Sequence, residues 1–248
     1  MAALVHLNGK RALVTGAGKG IGREVAIALH KAGAQTVAIS RTQADLDSLK
    51  AECPGIQTVT QDISDWSATR QAVSSLGHFD LLVNNAGVYK PIPFLEFPEA
   101  EIDRTFDTNY KAAFNISQVV ARGMVERGTG GAIVNVSSDS SIKGFGGEAA
   151  YGASKAALEL LTRVMAGELG PKKIRVNTVQ PTWTRTNMAK DTLLKDEAQL
   201  QKELNRIPLG RIAEVSDITG AILFLLSDQA AMINGASLLI DGGATFCS

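Results

Sequence analysis

Thr15-Gly16-Ala17-Gly18-Lys19-Gly20-Ile21-Gly22 is the stretch whose reading decides the fold. An apolar run, Ala12-Leu13-Val14, leads into it, and a helical run from Ile21 to Leu29 leads out. A strand that turns sharply into a helix through glycines is a phosphate-binding shape. Glycine tolerates φ > 0 and lets backbone approach a ligand closely. The helix start offers free N–H groups and the positive end of its dipole to an anion. Gly22 can also let that helix sit close to the sheet. The spacing of Gly16, Gly20 and Gly22 is G-x-x-x-G-x-G, and Gly18 only partly fills the dinucleotide pattern G-x-G-x-x-G. On this stretch alone, a tight strand–helix turn without a ligand stays open.

The chain around it has 248 residues, 45% hydrophobic and 20% charged, with a formal net charge of zero. That size and profile suit one large globular domain, expected here over residues 1–248. A balanced charge gives no nucleic-acid or membrane-surface field. Cys53 and Cys247 make no disulfide framework. His6, His30 and His78 are scattered, so no catalytic metal is expected. The stretch Met1–Gly9 is too short and mildly apolar for a signal peptide, and Cys247 stands next to last, outside a prenylation box. No run reaches the ~18 apolar residues of a membrane span. A cytoplasmic protein is expected.

Short apolar β-rich runs alternate with longer helical ones. Strands are expected at Arg11–Thr15, Thr36–Ser40, Ile56–Thr60, Asp80–Asn84, Ala132–Ser137, Ile174–Val179 and Ser237–Ile240. Helices are expected at Ile21–Lys31, Gln43–Cys53, Trp66–Leu76, Glu99–Arg127, Ala149–Leu169 and Val215–Leu226. Most strand runs are apolar on both faces, as in a buried parallel sheet. The alternation predicts an α/β fold, a doubly wound Rossmann sheet of about seven strands with helices on both faces. Ligands then bind beyond the carboxyl ends of the strands. Thr182 to Arg206 interrupts the rhythm with a long polar insertion, a candidate lid or a surface excursion.

The second strand ends in Ser40-Arg41-Thr42, with no carboxylate to hold an NAD ribose hydroxyl. Arg41 could bind a 2′-phosphate through charge-assisted bonds, and Lys19 could add a second positive charge. This favours NADP, with a solvated surface Arg41 as the alternative. Asp62 could accept from an adenine amino group, or cap a helix.

Tyr151 and Lys155 are four apart and share one helix face. An ammonium beside a phenol stabilises the phenolate and lowers its pKa, making Tyr151 a candidate proton donor to a carbonyl. Ser138, at a strand end, could polarise that carbonyl, and Ser137 is a near-equal candidate by position. Asn109 inside a helical run is a poor helix former that could bond a water or kink the helix.

In this order, Thr15–Gly22, Asn84-Asn85-Ala86-Gly87, Asn109, Ser138, Tyr151-x-x-x-Lys155 and Pro181-Thr182 resemble the short-chain dehydrogenase/reductase family over nearly the whole chain. The resemblance implies Tyr151 as general acid, Lys155 as its partner and ribose ligand, Ser138 as the carbonyl-orienting group, and Asn109 as anchor of a water in a proton relay. It implies a cofactor site of Gly16, Gly18, Lys19, Gly20, Ile21, Gly22, Arg41, Thr42, Asp62, Ile63, Asn85, Ala86, Gly87, Pro181, Thr182, Thr184 and Thr186, besides Tyr151 and Lys155. Where the family often has Pro-Gly, this chain has Pro181-Thr182. Asp139, Phe145, Glu148 and Trp183 are expected beside Ser138 and Tyr151 in the substrate pocket. The segments Ser40–Leu49, Glu52–Ile56 and Leu204–Gly210 resemble the branch of the family that reduces L-xylulose and α-dicarbonyls with NADPH. That likeness implies a homotetramer, with the helices Glu99–Arg127 and Ala149–Leu169 pairing and the tail Ala244–Cys247 docking on another subunit. Cys247 could instead be an exposed redox-sensitive thiol. A 3-oxoacyl thioester reductase, or a sensor that binds NADPH without turnover, would be the alternatives. The first would want a basic patch for a carrier protein, and none is concentrated here.

Overall fold

The computed structural model describes residues 5–247. Part of the amino-terminal stretch read above, residues 1–4, lies outside it, as does residue 248. Seven parallel strands form one sheet in the order β3-β2-β1-β4-β5-β6-β7. They are β1 (Arg11–Thr15), β2 (Gln35–Ser40), β3 (Gln57–Thr60), β4 (Leu81–Asn84), β5 (Gly131–Val136), β6 (Ile174–Pro181) and β7 (Ser237–Ile240). The chain winds outward from β1 to β3, returns to lay β4 beside β1, and winds outward again. This is the doubly wound Rossmann arrangement, with its switch point between β1 and β4.

Helices cover both faces. On one side α1 (Gly20–Lys31), α2 (Gln43–Glu52) and α9 (Val215–Leu226) enclose a core holding Val14, Val25, Leu46, Val134 and Ile222. On the other, α3 (Trp66–Ser75), α5 (Ala112–Arg127) and α6 (Ala149–Leu169) pack on Leu13, Ile39, Leu82 and Ile133. Leu13 and Val14 are neighbours whose side chains enter opposite cores, the period-2 alternation of a strand buried on both faces. The edge strands differ. β3 has no fully buried residue, and Leu238 on β7 is exposed.

The expected single helix Glu99–Arg127 is interrupted. α4 (Glu99–Phe106) runs into a π-helical turn at Asp107–Lys111 before α5 resumes. Asn109 sits in that turn. Its Oδ1 accepts from Val88 N at 2.8 Å, and its Nδ2 donates to Val88 O at 3.1 Å and Ser154 Oγ at 3.1 Å. These bonds hold the side chain inward, and the widened turn provides the room.

Residues 182–206 are folded as well. They form α7 (Asn187–Asp191), a 3₁₀ turn at Leu193–Lys195 and α8 (Glu197–Arg206). A small core of Leu193, Ile207, Ile212 and Ala244, joined by Trp183 and Leu204, supports them.

Candidate active site

Every strand points its carboxyl end to the same side, and the turn after β1 opens there. Gly16 has φ of +64°, and a Cβ at that point would stand 2.7 Å from Ala86 Cα. A side chain at Gly22 would run into the Asn85 amide and the Gly16 carbonyl. The switch point is cross-braced: Thr15 Oγ1 accepts from the N–H groups of Asn85 (3.1 Å) and Ala86 (3.2 Å). Asn85 Nδ2 in turn donates to the carbonyls of Thr15 (3.0 Å) and Gly16 (3.2 Å). Beneath this brace, Asn84 Nδ2 bonds Ser117 Oγ at 2.9 Å and Asn135 Oδ1 at 2.8 Å, and Asn135 Nδ2 bonds Thr162 Oγ1 at 2.7 Å. A buried polar chain therefore ties β4 and β5 to α5 and α6.

A cleft of about 400 Å³ lies above the strand ends. Its phosphate-and-adenosine half is walled by Gly16, Lys19, Gly20, Ile21, Arg41, Asp62, Ile63, Asn85, Ala86 and Gly87. Its other half holds Ser138, Asp139, Phe145, Glu148, Tyr151 and Trp183. Lys155, Pro181, Thr182, Thr184 and Thr186 complete the wall.

Four expected residues do not reach that wall. Gly18 packs beneath it, where a Cβ would meet Ser40 Oγ at 2.8 Å. Gly22 is held against Asn85 as described. Thr42 is an exposed residue preceding α2, with no side-chain bond to the helix. Asn109 lies behind Gly87, its side chain taken by Val88 and Ser154.

Two charges read differently in three dimensions. Lys19, read as a possible second positive charge, lines the cleft and pairs with Asp45 at 3.2 Å. The first turn of α2 brings Asp45 under the glycine turn, which distance along the chain conceals. Arg41 is exposed and, among the described residues, enters no ion pair. Asp62 caps no helix, because Asp65 accepts from Ala68 N and caps α3. Asp62 Oδ1 accepts from Ser64 N and Oγ at 3.0 and 2.7 Å, which holds its carboxyl below the usual range, with Arg41 adding to the effect.

Tyr151 and Lys155 are brought to the cleft from α6, one turn apart. The Tyr151 hydroxyl lies beside Ser138, which opposes the effect of burial on the phenol. Ser137 instead turns its hydroxyl to the Lys155 carbonyl, 3.3 Å away. The structure therefore separates the two serines left equal by position. Lys155 Nζ donates to the Val136 carbonyl at 2.7 Å and stands 5.6 Å from the Tyr151 ring centre.

The expected acidification of the phenol is not found. Burial raises the Tyr151 pKa above that of a free tyrosine, and the charges of Glu148 and Asp139 add to the rise. Burial also pulls Lys155 down to about 8, against the opposing charge of Glu159 one turn further along α6. Desolvation dominates both groups, and the sequence offered no measure of it.

Asp139 is pushed up to about 6, first by burial and then by the Glu148 charge, while bonds from Thr182, Ser138 and Ser140 oppose the rise. Glu148 is raised by burial and held by Ser140 Oγ at 2.6 Å and Tyr89 Oη at 3.1 Å. Tyr89 was missed. Its ring stands edge-on to Tyr151 at 5.1 Å and to Trp183 at 5.9 Å. Its position two residues past Gly87, beyond the end of β4, was the available signal. Its partner Glu148 comes from a distant loop with no shared period. Ser140 was missed too, and it links Glu148 to Ser138 through a 3.1 Å contact between hydroxyls.

A hydroxyl pair, a buried ammonium and a glycine turn that accepts phosphate meet in one cleft. That set can hold a dinucleotide against a carbonyl compound and pass a proton to it.

A family model described as enoyl-(acyl carrier protein) reductase matches residues 16–245. The chain is similar to D-erythrulose reductase of Gallus gallus, with 54% identity over 239 residues, 96% of this chain and 97% of that protein. It is also similar to L-xylulose reductase of Homo sapiens, with 53% identity over 243 residues, 98% of this chain and 99% of that protein. Among solved structures, a gluconate 5-dehydrogenase from Burkholderia cenocepacia J2315 in complex with NADP and tartrate superposes with a TM-score of 0.92 at 32% identity, covering 97% of this chain and 96% of that chain. Among the described residues, no helix is long and apolar enough to cross a membrane.

Proposed function

The chain belongs to the short-chain dehydrogenase/reductase family, and from that premise we propose that it is an NADPH-dependent carbonyl reductase acting on L-xylulose and other short ketoses and on α-dicarbonyls such as diacetyl. The observation that carries this is the Tyr151–Ser138 hydroxyl pair beside Lys155 at the cleft's centre, flanked by the braced glycine turn. Gly16–Ile21 would hold the phosphates of NADPH and Arg41 its 2′-phosphate. Bound there, it supplies hydride. Asn85, Ala86, Gly87, Pro181, Thr182, Thr184 and Thr186 line its nicotinamide end, and the Lys155 ammonium takes the ribose hydroxyls.

Ser138 turns its one hydroxyl proton from Asp139 to the substrate carbonyl and polarises it. Tyr151 then gives its proton to the developing alkoxide. An alkoxide is a far stronger base than a phenolate, so the transfer stays downhill with a raised phenol. The rise also keeps Tyr151 protonated at neutral pH, the form that reduction requires. Lys155, near its own midpoint at about 8, carries charge at neutral pH. Asn109 acts by shaping the π turn behind Gly87.

Residues 1–248 form one functional unit, with the first part of segment 182–206 lining the cleft through Trp183 and Met188. It works as a cytoplasmic homotetramer. Exposed apolar side chains support the association: Leu160 and Val164 on α6, Leu238 on β7 and Phe246 in the tail. The decisive experiment follows nicotinamide absorbance with NADPH and either L-xylulose, diacetyl or an acetoacetyl thioester. Decay with the first two supports the reading. Decay with the thioester alone assigns the thioester activity, and no decay with any of them leaves a cofactor-binding sensor.

A further inference from the structure

Buried acids concentrate at one end of the cleft. Lys19 and Arg41 lie at the phosphate end, while the substrate end holds Asp139 and Glu148. Three cations around that end already have partners. Lys155 is bonded to the Val136 carbonyl, Lys143 donates to the Ala244 carbonyl at 2.6 Å, and Arg206 is paired with Glu203 at 3.0 Å. We propose that Glu148 and Asp139 set the charge class of the carbonyl substrate, admitting neutral and ammonium-bearing ketones and rejecting those that carry a carboxylate. The inference rests on the reductase reading above and names the substrate class of that same site.

Both oxygens of Glu148 are held in place, one by Tyr89 and one by Ser140. Ser140 is in turn one contact from Ser138, which faces the reacting carbonyl. Asp139 Oδ1 accepts from Ser138 itself at 3.1 Å. A short ketose keeps every substituent within a few bonds of its carbonyl, so any carboxylate on it falls among these acids. It would meet like charge in a desolvated cleft with no free cation to pair with. The hydroxyls of a neutral ketose can instead donate charge-assisted bonds to the two carboxylates. An ammonium would gain the two carboxylates.

The test uses three six-carbon ketones of different charge with NADPH: D-fructose, 1-amino-1-deoxy-D-fructose and 5-keto-D-gluconate. For the native protein, kcat/KM for the keto acid is expected at least tenfold below that for D-fructose, with the amino ketone at or above D-fructose. In E148Q and in D139N the ratio of keto acid to D-fructose should rise at least fivefold, whatever happens to the absolute rates. A native ratio near one, or a ratio unmoved in both variants, overturns the proposal. If E148Q does not fold, D139N alone decides. Turnover of D-fructose, L-xylulose or diacetyl alongside equal turnover of the keto acid defeats the charge filter only. Absence of turnover with every neutral carbonyl defeats the reductase reading itself.

Discussion

The two halves of the cleft are built by different means. The phosphate half is made of backbone: Gly16 with no room for a Cβ, and a cross-brace from Thr15 to Asn85. Its parts sit at strand ends that the sheet registers directly. The substrate half is made of side chains from four separate places, with Tyr151 coming from α6. Tyr89 follows β4, residues 138–148 follow β5, and Trp183 opens the segment after β6. Those pieces meet through Glu148, through the aromatic edges, and through Arg206, whose guanidinium stands 5.1 Å from the Phe145 ring centre. The first half is fixed by chain geometry and tolerates no substitution of shape. The second is fixed by polar partnerships and can be retuned residue by residue.

The sharpest way to break this contrast is at the junction of the halves. Tyr151→Phe should slow turnover by roughly 10²–10⁴-fold, the usual size of a general-acid contribution, with NADPH binding retained. Near-normal turnover would remove the acid from residue 151.

Next comes the pH dependence of the substrate half. Asp139 is raised from 3.8 to about 6, so the native state holds its proton where the unfolded chain has released it. Its contribution to stability is complete below the unfolded value and is lost as pH rises through about 6. D139N should abolish that loss. Relative to the native protein, the variant's unfolding free energy should gain about 2 kcal/mol between pH 4 and pH 7, at 1.36 kcal/mol per pKa unit, because pH 4 lies at the unfolded value rather than below it. Denaturant titrations at the two pH values check this, and an unchanged difference would show that burial does not control the carboxyl.

In the phosphate half, Arg41→Asp should move the NADPH/NADH preference toward NADH by roughly 10–100-fold, the worth of one charge-assisted hydrogen bond. A constant ratio would remove Arg41 from the 2′-phosphate. The smallest effect is expected from Thr15→Val, which keeps the shape and deletes the acceptor for two N–H groups. It should cost about 1–3 kcal/mol of stability, measured by urea unfolding. A loss confined to the substrate KM would contradict the assignment of the brace to the phosphate half.

The same contrast explains what could be read in advance. Gly16, Asn85 and the Tyr151–Lys155 pair follow from local spacing, because strand ends and helix turns repeat at known intervals. The Lys19–Asp45 pair did not, because it depends on how the first turn of α2 folds back under the loop. The direction of the Tyr151 shift was also hidden. Spacing places an ammonium one turn away, but burial and the acids at 139 and 148 outweigh it. Asn109 was visible as an ill-fitting helix residue, while its bonds to Val88 required the chain to close on itself.

By itself the sequence determined the order of strands and helices, the glycine turn and the spacing of the reacting residues on α6, since periodicity and glycine sterics act over a few residues. Only the tertiary structure decided where Ser137 turns its hydroxyl, which cation stays unpaired and how strongly each buried group is desolvated. Those properties depend on distances between segments far apart in the chain and on the water excluded between them, and no local pattern records either.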